Sequence, residues 1–106
     1  MDLIDKNRRE LEEACTAFKV DELYTFGSIL SDKFNAQSDI DFIVSITSKD
    51  PIEYAENYFD LKFALERIFN RKIDLLEQKA IRNKTFEDLV NKQKVLVYAR
   101  RTEGVA

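Results

Sequence analysis

The chain of 106 residues has no histidine, no tryptophan, one cysteine, one proline and only two glycines. Without histidine there can be no Ser-His-Asp triad, no Cys-His pair and no histidine-ligated zinc. The single cysteine, Cys15, cannot close an internal disulfide, so a reducing, cytoplasmic setting is expected. Cys15 itself reads as a small buried apolar side chain. No apolar run approaches the roughly 20 residues that span a bilayer, so no membrane segment is expected. The opening MDLIDKNRREL is charged throughout and does not read as a signal peptide. Seventeen basic against twenty acidic residues leave a net charge of −3, without the dense basic footprint of a nucleic-acid binder. DNA binding is therefore not expected. Any chemistry must rest on carboxylates, hydroxyls, Lys and Arg, or a bound ion.

What is present reads as a single α/β domain over residues 1–106, with a loose C-terminal tail from about residue 100. Residues 3–18 carry Leu3, Ile4, Leu11, Ala14, Cys15 and Phe18 toward one side, the pattern of an amphipathic helix. Val20 to Phe26 is a strand-forming run that ends at Gly27, and a short helix or turn is expected from Ser28 to about Phe34. From Asp39 to Ile46 the pattern alternates: Ile40, Phe42, Val44 and Ile46 point one way, Asp39, Asp41, Ile43 and Ser45 the other. That predicts a strand with one core face. Asp50, Pro51 and Glu53 then spell a helix start, with cap, first-turn proline and capping box. This helix runs to about Phe69, with Ile52, Ala55, Phe59 and Phe63 on one stripe. Tyr58, Leu61, Leu65 and Ile68 form a second stripe, which predicts a wide buried face. KIDLL, from Lys72 to Leu76, is a short strand; a helix within 79–92 and a strand over Val95–Tyr98 complete the order α-β-α-β-α-β-α-β.

The one interior glycine and the carboxylates stand in a telling order. Gly27-Ser28 ends a strand-like run, and ten residues later Asp39-Ile40-Asp41 opens the alternating strand. A glycine between strand and helix lets backbone approach a ligand closely, and free N–H groups at a helix start face an anion. Asp39 and Asp41 share one strand face, and Asp74 joins them if KIDLL pairs alongside. Like charges side by side destabilise a sheet, so such a cluster is best explained by a cation. Oxygen donors without His or Cys point to Mg²⁺ or Mn²⁺, and a carboxylate-held metal usually handles a phosphate. Together the two parts describe nucleoside-triphosphate chemistry, yet no P-loop motif is present.

In these residues the chain resembles the minimal nucleotidyltransferases (MNT), small members of the DNA polymerase β-like superfamily. The G-S, ten residues, D-x-D signature is met by Gly27-Ser28 and Asp39-Ile40-Asp41, SDID is followed by FIV, and KIDLL supplies the third carboxylate, Asp74. The resemblance implies a polymerase β palm-like fold, a small mixed sheet packed with helices. It implies two Mg²⁺ ions on Asp39 and Asp41, with Asp74 binding the catalytic metal and helping to activate an acceptor hydroxyl. Gly27 and Ser28 would hold the β and γ phosphates of ATP. Attack of a hydroxyl on the α-phosphorus would leave a nucleotidylated acceptor and pyrophosphate. Many such proteins pair with a HEPN-domain RNase toxin and neutralise it, often by transferring AMP to one of its tyrosines, so a HEPN toxin is the expected partner.

The family's Ala-Arg-Gly after the G-S motif is here Leu30-Ser31-Asp32, which removes a positive charge and adds a negative one. That departure supports a second reading, an antitoxin that masks its partner without catalysis. A third reading is transfer to a small hydroxylated molecule. Tyr24, Tyr54, Tyr58 and Tyr98 read as core or rim residues. Arg67, Arg71 and Lys72 form a basic spot near Asp74, expected to be a solvated helix end.

Overall fold

The computed structural model describes residues 2–100. The tail expected from about residue 100 lies, from residue 101 on, outside the described residues. The elements are α1 (Asp2–Lys6), α2 (Arg8–Ala17), β1 (Val20–Phe26), β2 (Ile40–Ile46), α3 (Pro51–Phe69), β3 (Ile73–Glu77), α4 (Lys84–Gln93) and β4 (Val95–Ala99), with short 3₁₀ turns at Gly27–Leu30 and Gln78–Ala80. The strands form one mixed sheet in the order β3-β2-β1-β4. β1 runs antiparallel to β2 and β4, and β2 runs parallel to β3.

The first helix is broken where the sequence predicts continuity. Asn7 donates its side-chain amide to Leu3 O at 2.9 Å, the carbonyl that an α-helix would offer to its backbone N–H. That N–H turns instead to Ile4 O at 3.1 Å. The side chain thus competes with the helix ladder and divides α1 from α2.

α2 and α3 cover one face of the sheet. Leu11, Cys15, Leu61 and Leu65 interlock there with Leu23, Ile40, Phe42, Val44, Ile46, Ile73 and Leu75. The alternation in β2 is therefore as read, with one correction. Ile43, on the other face, is also buried, because it lies in register between Tyr24 and Leu76 in the sheet interior. α4 attends that second face, where Phe86 meets Phe26 edge-on at 6.2 Å.

At the start of α3, Asp50 accepts from Ile52 N at 3.3 Å and Pro51 takes the first turn. Glu53 does not close the capping box. It reaches Lys19 Nζ at 2.8 Å, a partner from the α2–β1 corner. The two stripes of α3 also separate. Leu61, Ala64, Leu65 and Phe69 are buried, whereas Ile52, Phe59 and Phe63 are 72%, 49% and 57% exposed. A helix lying on a sheet offers the sheet one side, and these three point directly away from it. Of the tyrosines, Tyr54, Tyr58 and Tyr98 pack against the main core, and Tyr58 Oη donates to Leu75 O.

Cys15 is fully buried, and burial, reinforced by Glu12, pushes its thiol up to about 12. The thiolate is the reactive form. Native protein at pH 8 is therefore expected to resist a thiol reagent such as DTNB, with labelling appearing only in denaturant. Rapid labelling of the folded protein would show that α2 leaves the sheet.

Candidate active site

The parallel register of β2 and β3 sets Asp41 directly beside Asp74. Both alternate with core residues, so both stand on the sheet face turned away from α2 and α3. In the antiparallel register on the other side, Asp41 faces Phe26, the last residue of β1. The chain then turns at Gly27, whose φ of +81° is the left-handed region that favours glycine. A Cβ built there would overlap Asp41 Oδ2 and come within 3.2 Å of its Cγ. The interior glycine therefore serves the aspartate ten-odd residues on: it lets the carboxylate lie against the backbone of the turn.

Two groups that sequence reasoning passed over hold this arrangement. Thr25 is the one buried polar residue among those described, and its hydroxyl donates to Asp41 O at 2.8 Å. Arg71, expected as a solvated helix end, is tied into the loop between the two motifs. Its Nη1 donates to Asn35 O at 3.1 Å and Ser38 O at 2.9 Å, and its guanidinium lies 4.8 Å over the Phe34 ring. Within that loop, Asn35 Oδ1 accepts from Gln37 N and Asn35 N donates to Ser38 Oγ. The basic spot imagined near Asp74 is thus not assembled: Arg71 holds the loop, Lys72 leans on Asp39, and Arg67 is exposed on α3.

Asp39 stands just before β2, with its Oδ2 3.9 Å from Lys72 Nζ. Among the described residues, no group of three metal-capable side chains closes on one point. Asp41 and Asp74 come together, and Asp39 stands to one side. After Gly27 comes a four-residue 3₁₀ turn rather than an α-helix, so no helix dipole adds to whatever its N–H groups can do. Ser31, in place of the family's arginine, closes this turn. Its hydroxyl donates to Ser28 O at 2.9 Å and accepts from Lys33 N at 3.2 Å. Asp32 and Lys33 are exposed.

Asp41 is pushed up to about 6, first by burial, then by the charges of Asp74 and Asp39 and a hydrogen bond shared with Asp74. Paired acidic oxygens whose ionisation is opposed by their own neighbours suit a hard divalent cation, which would relieve that repulsion. On this observation the donor set fits a metal at Asp41 and Asp74.

Residues 9–103 match the family described as polymerase beta, nucleotidyltransferase. The chain belongs to that family. No curated protein matches it in sequence. Several solved structures share the family's fold. One, described as a candidate minimal nucleotidyltransferase, superposes with a TM-score of 0.71 at 20% identity, over 90% of this chain and 95% of the other. A toxin–antitoxin structure with AMP-PNP gives 0.67 at 19% identity, over 90% and 75%. A complex of a tri-AMPylated HEPN toxin with an MNT antitoxin from Shewanella oneidensis gives 0.58 at 20% identity, over 92% and 73%. This nucleotidyltransferase domain thus carries its D-x-D at the start of the inner strand β2 and its G-S in the turn just after β1.

Two outcomes follow for stability. Gly27→Ala would strain the turn and collide with Asp41, at a cost of about 1–3 kcal/mol in urea unfolding. Ser28→Ala, whose hydroxyl has no partner among the described residues, should be near neutral. The second concerns pH. Asp41 holds its proton more tightly folded than unfolded, so its contribution is present below the ordinary carboxylate range and is lost as pH rises through about 6. A shift of this size would carry roughly 3 kcal/mol in a fully buried group. Asp41 is partly exposed, and solvent screening reduces that to roughly 1 kcal/mol. In EDTA, Asp41→Asn is expected to melt above the wild type at pH 8, with the gap closing at pH 4. An Asn variant less stable at pH 8 would contradict the raised carboxyl.

Proposed function

We propose that this chain is a minimal nucleotidyltransferase antitoxin that transfers AMP from ATP to a hydroxyl, a tyrosine of a HEPN-domain toxin. The observation that carries this reading is the Asp41–Asp74 pair, with Asp41 seated against the Gly27 turn. Its support from outside the chain is the fold shared with antitoxins solved in toxin complexes, one with AMP-PNP and one beside an AMPylated toxin.

In this reading Asp41 and Asp74 hold divalent metal, Mg²⁺ by preference, with Asp39 completing the set once its carboxylate leaves Lys72. Bound metal would supply charge neutralisation on the triphosphate and on the attacking and leaving oxygens. Gly27 and Ser28 meet the β and γ phosphates, the first through close backbone approach and the second through its hydroxyl. Asp74, the more open of the pair, orients the acceptor hydroxyl and receives its proton. The tyrosine oxygen forms a bond to the α-phosphorus, the bond from that phosphorus to the bridging oxygen breaks, and pyrophosphate leaves.

A specific observation favours one other reading. Asp39 is paired with Lys72, and Leu30-Ser31-Asp32 has lost the family's arginine. Both suit an antitoxin that masks its partner without transferring anything. Calorimetric titration of ATP with Mg²⁺ into wild type and Asp39→Asn/Asp41→Asn separates the two. The transferase reading expects metal-dependent binding in the wild type, at least about tenfold weaker in the double variant. It also expects AMP on the HEPN protein by mass spectrometry after incubation with both. Absence of transfer by wild type in the presence of the toxin would leave the masking reading.

A further inference from the structure

Of the three site carboxylates, Asp41 lies in β2 and Asp74 in β3, but Asp39 lies in no strand. It ends the stretch 31–39, which leads from the 3₁₀ turn to β2 and carries neither helix nor strand. Loop backbone is ordinarily more mobile than the elements it connects. Here both peptide groups that flank the Asp39 Cα are held from the α3–β3 corner. The carbonyl before it, Ser38 O, accepts from Arg71 Nη1 at 2.9 Å. The N–H after it, that of Ile40, donates to Lys72 O at 3.2 Å.

The Arg71 side chain is committed to this hold. The same Nη1 reaches Asn35 O at 3.1 Å, and the guanidinium covers the ring of Phe34, which packs on the main core. Among the described residues Arg71 forms no ion pair with a carboxylate, and its Nε is buried without a partner. A planar fork fixed between an aromatic face and two carbonyls sets geometry, which a lysine ammonium does not reproduce. Lys72 acts differently through its side chain. Its Nζ draws Asp39 Oδ2 to 3.9 Å, in a pair whose side chains are 73% and 46% exposed, so the contact is weak. From this clamp we infer that Arg71 is a positioning residue for Asp39. It fixes the backbone from which that carboxylate turns toward Asp41 and Asp74, while Lys72 Nζ competes for the carboxylate itself.

The inference rests on the metal reading of the site, and it gives adjacent cations opposite roles. Arg71 favours a metal at the carboxylates, and the Lys72 side chain opposes one. Charge alone would make both oppose it, because removing either positive side chain strengthens the attraction for a cation. The sign of the Arg71 effect therefore separates positioning from electrostatics. The Lys72 backbone carbonyl keeps its bond to Ile40 whatever the side chain, so the two roles can be varied apart.

Titration of Mn²⁺ alone into the full chain, with the free ion followed by electron paramagnetic resonance, tests this. Arg71→Met keeps an apolar stem over Phe34 and loses both carbonyl bonds. Its Mn²⁺ affinity should fall about tenfold, as when a metal ligand loses its supporting partner. Lys72→Met should raise the affinity at least about twofold, the worth of an exposed pair. Arg71→Lys keeps the charge without the fork and should stay below wild type. Amide exchange reads the clamp without metal: the Ile40 N–H should exchange faster in Arg71→Met, with Val44 in the same strand unchanged. An affinity equal or raised in Arg71→Met overturns the inference, and so does an unchanged Ile40 amide. Should Arg71→Met fold poorly, an Arg71→Lys protein that matches wild type overturns it as well. Binding that is lost in Asp41→Asn but indifferent to Arg71 removes this role alone. A wild type that takes up no Mn²⁺ removes the metal reading, and the role of Arg71 with it.

Discussion

A slip of one residue in β2 would bury Asp41 and expose Phe42. A strand's side chains alternate with a period of two, so register decides which set faces the core. Here Ile40, Phe42, Val44 and Ile46 are all buried against α2 and α3, and that apolar weight fixes the strand. Everything at the site inherits its position from this register. It determines that Asp41 neighbours Asp74 on one side and Phe26 on the other. Thr25 adds a polar lock at the same point, through its bond to Asp41 O. A fully buried hydroxyl without that acceptor would be a liability of about 1–3 kcal/mol.

The core thus holds in place an arrangement that would not persist alone. Two carboxylates sit side by side, one of them with its ionisation opposed. A turn adopts a positive φ so that a carboxylate can crowd its backbone. Such local conflicts are tolerated where the surrounding structure overdetermines the geometry, and they gather at functional sites. Arg71 performs the same service for the loop that feeds the D-x-D, and leaves its own Nε buried without a partner.

The features legible in the sequence were those written in local periodicity. β1 ran as read, the two faces of β2 were right apart from the burial of Ile43, and Asp50 with Pro51 marked the start of α3. Other features need partners far along the chain, and no local pattern announces them. Glu53 answers Lys19 rather than its own helix end because tertiary folding brings the α2–β1 corner within reach. The break at Asn7 was local, yet an amide side chain that takes a helix carbonyl cannot be told from one pointing to water. In α3 the apolar content was visible but its allotment was not: both stripes look alike until the sheet takes one of them. At the site, the G-S and D-x-D spacing was plain, whereas its physical reason, a missing Cβ against Asp41, exists only once the strands are paired. Asp39 was read as an equal member of the cluster. Standing just outside the strand, it is free to meet Lys72 instead.

The replaced segment after the G-S motif shows how charge and mechanics can be exchanged at one position. An arginine there would bring positive charge beside the Gly27-Ser28 turn. Ser31 brings none, but its hydroxyl bonds to Ser28 O and to Lys33 N and so stiffens the turn that carries Ser28. The loop on its far side is stiffened independently by Arg71 and the Asn35–Ser38 bonds. Both chain segments that frame Asp41 are therefore held by hydrogen bonds to backbone and hydroxyl groups, local ones at the turn and those of Arg71 at the loop. Lys72, beside the D-x-D, is engaged with Asp39. The repulsion between Asp41 and Asp74 is consequently left less compensated by the protein's own basic residues than the family pattern would suggest.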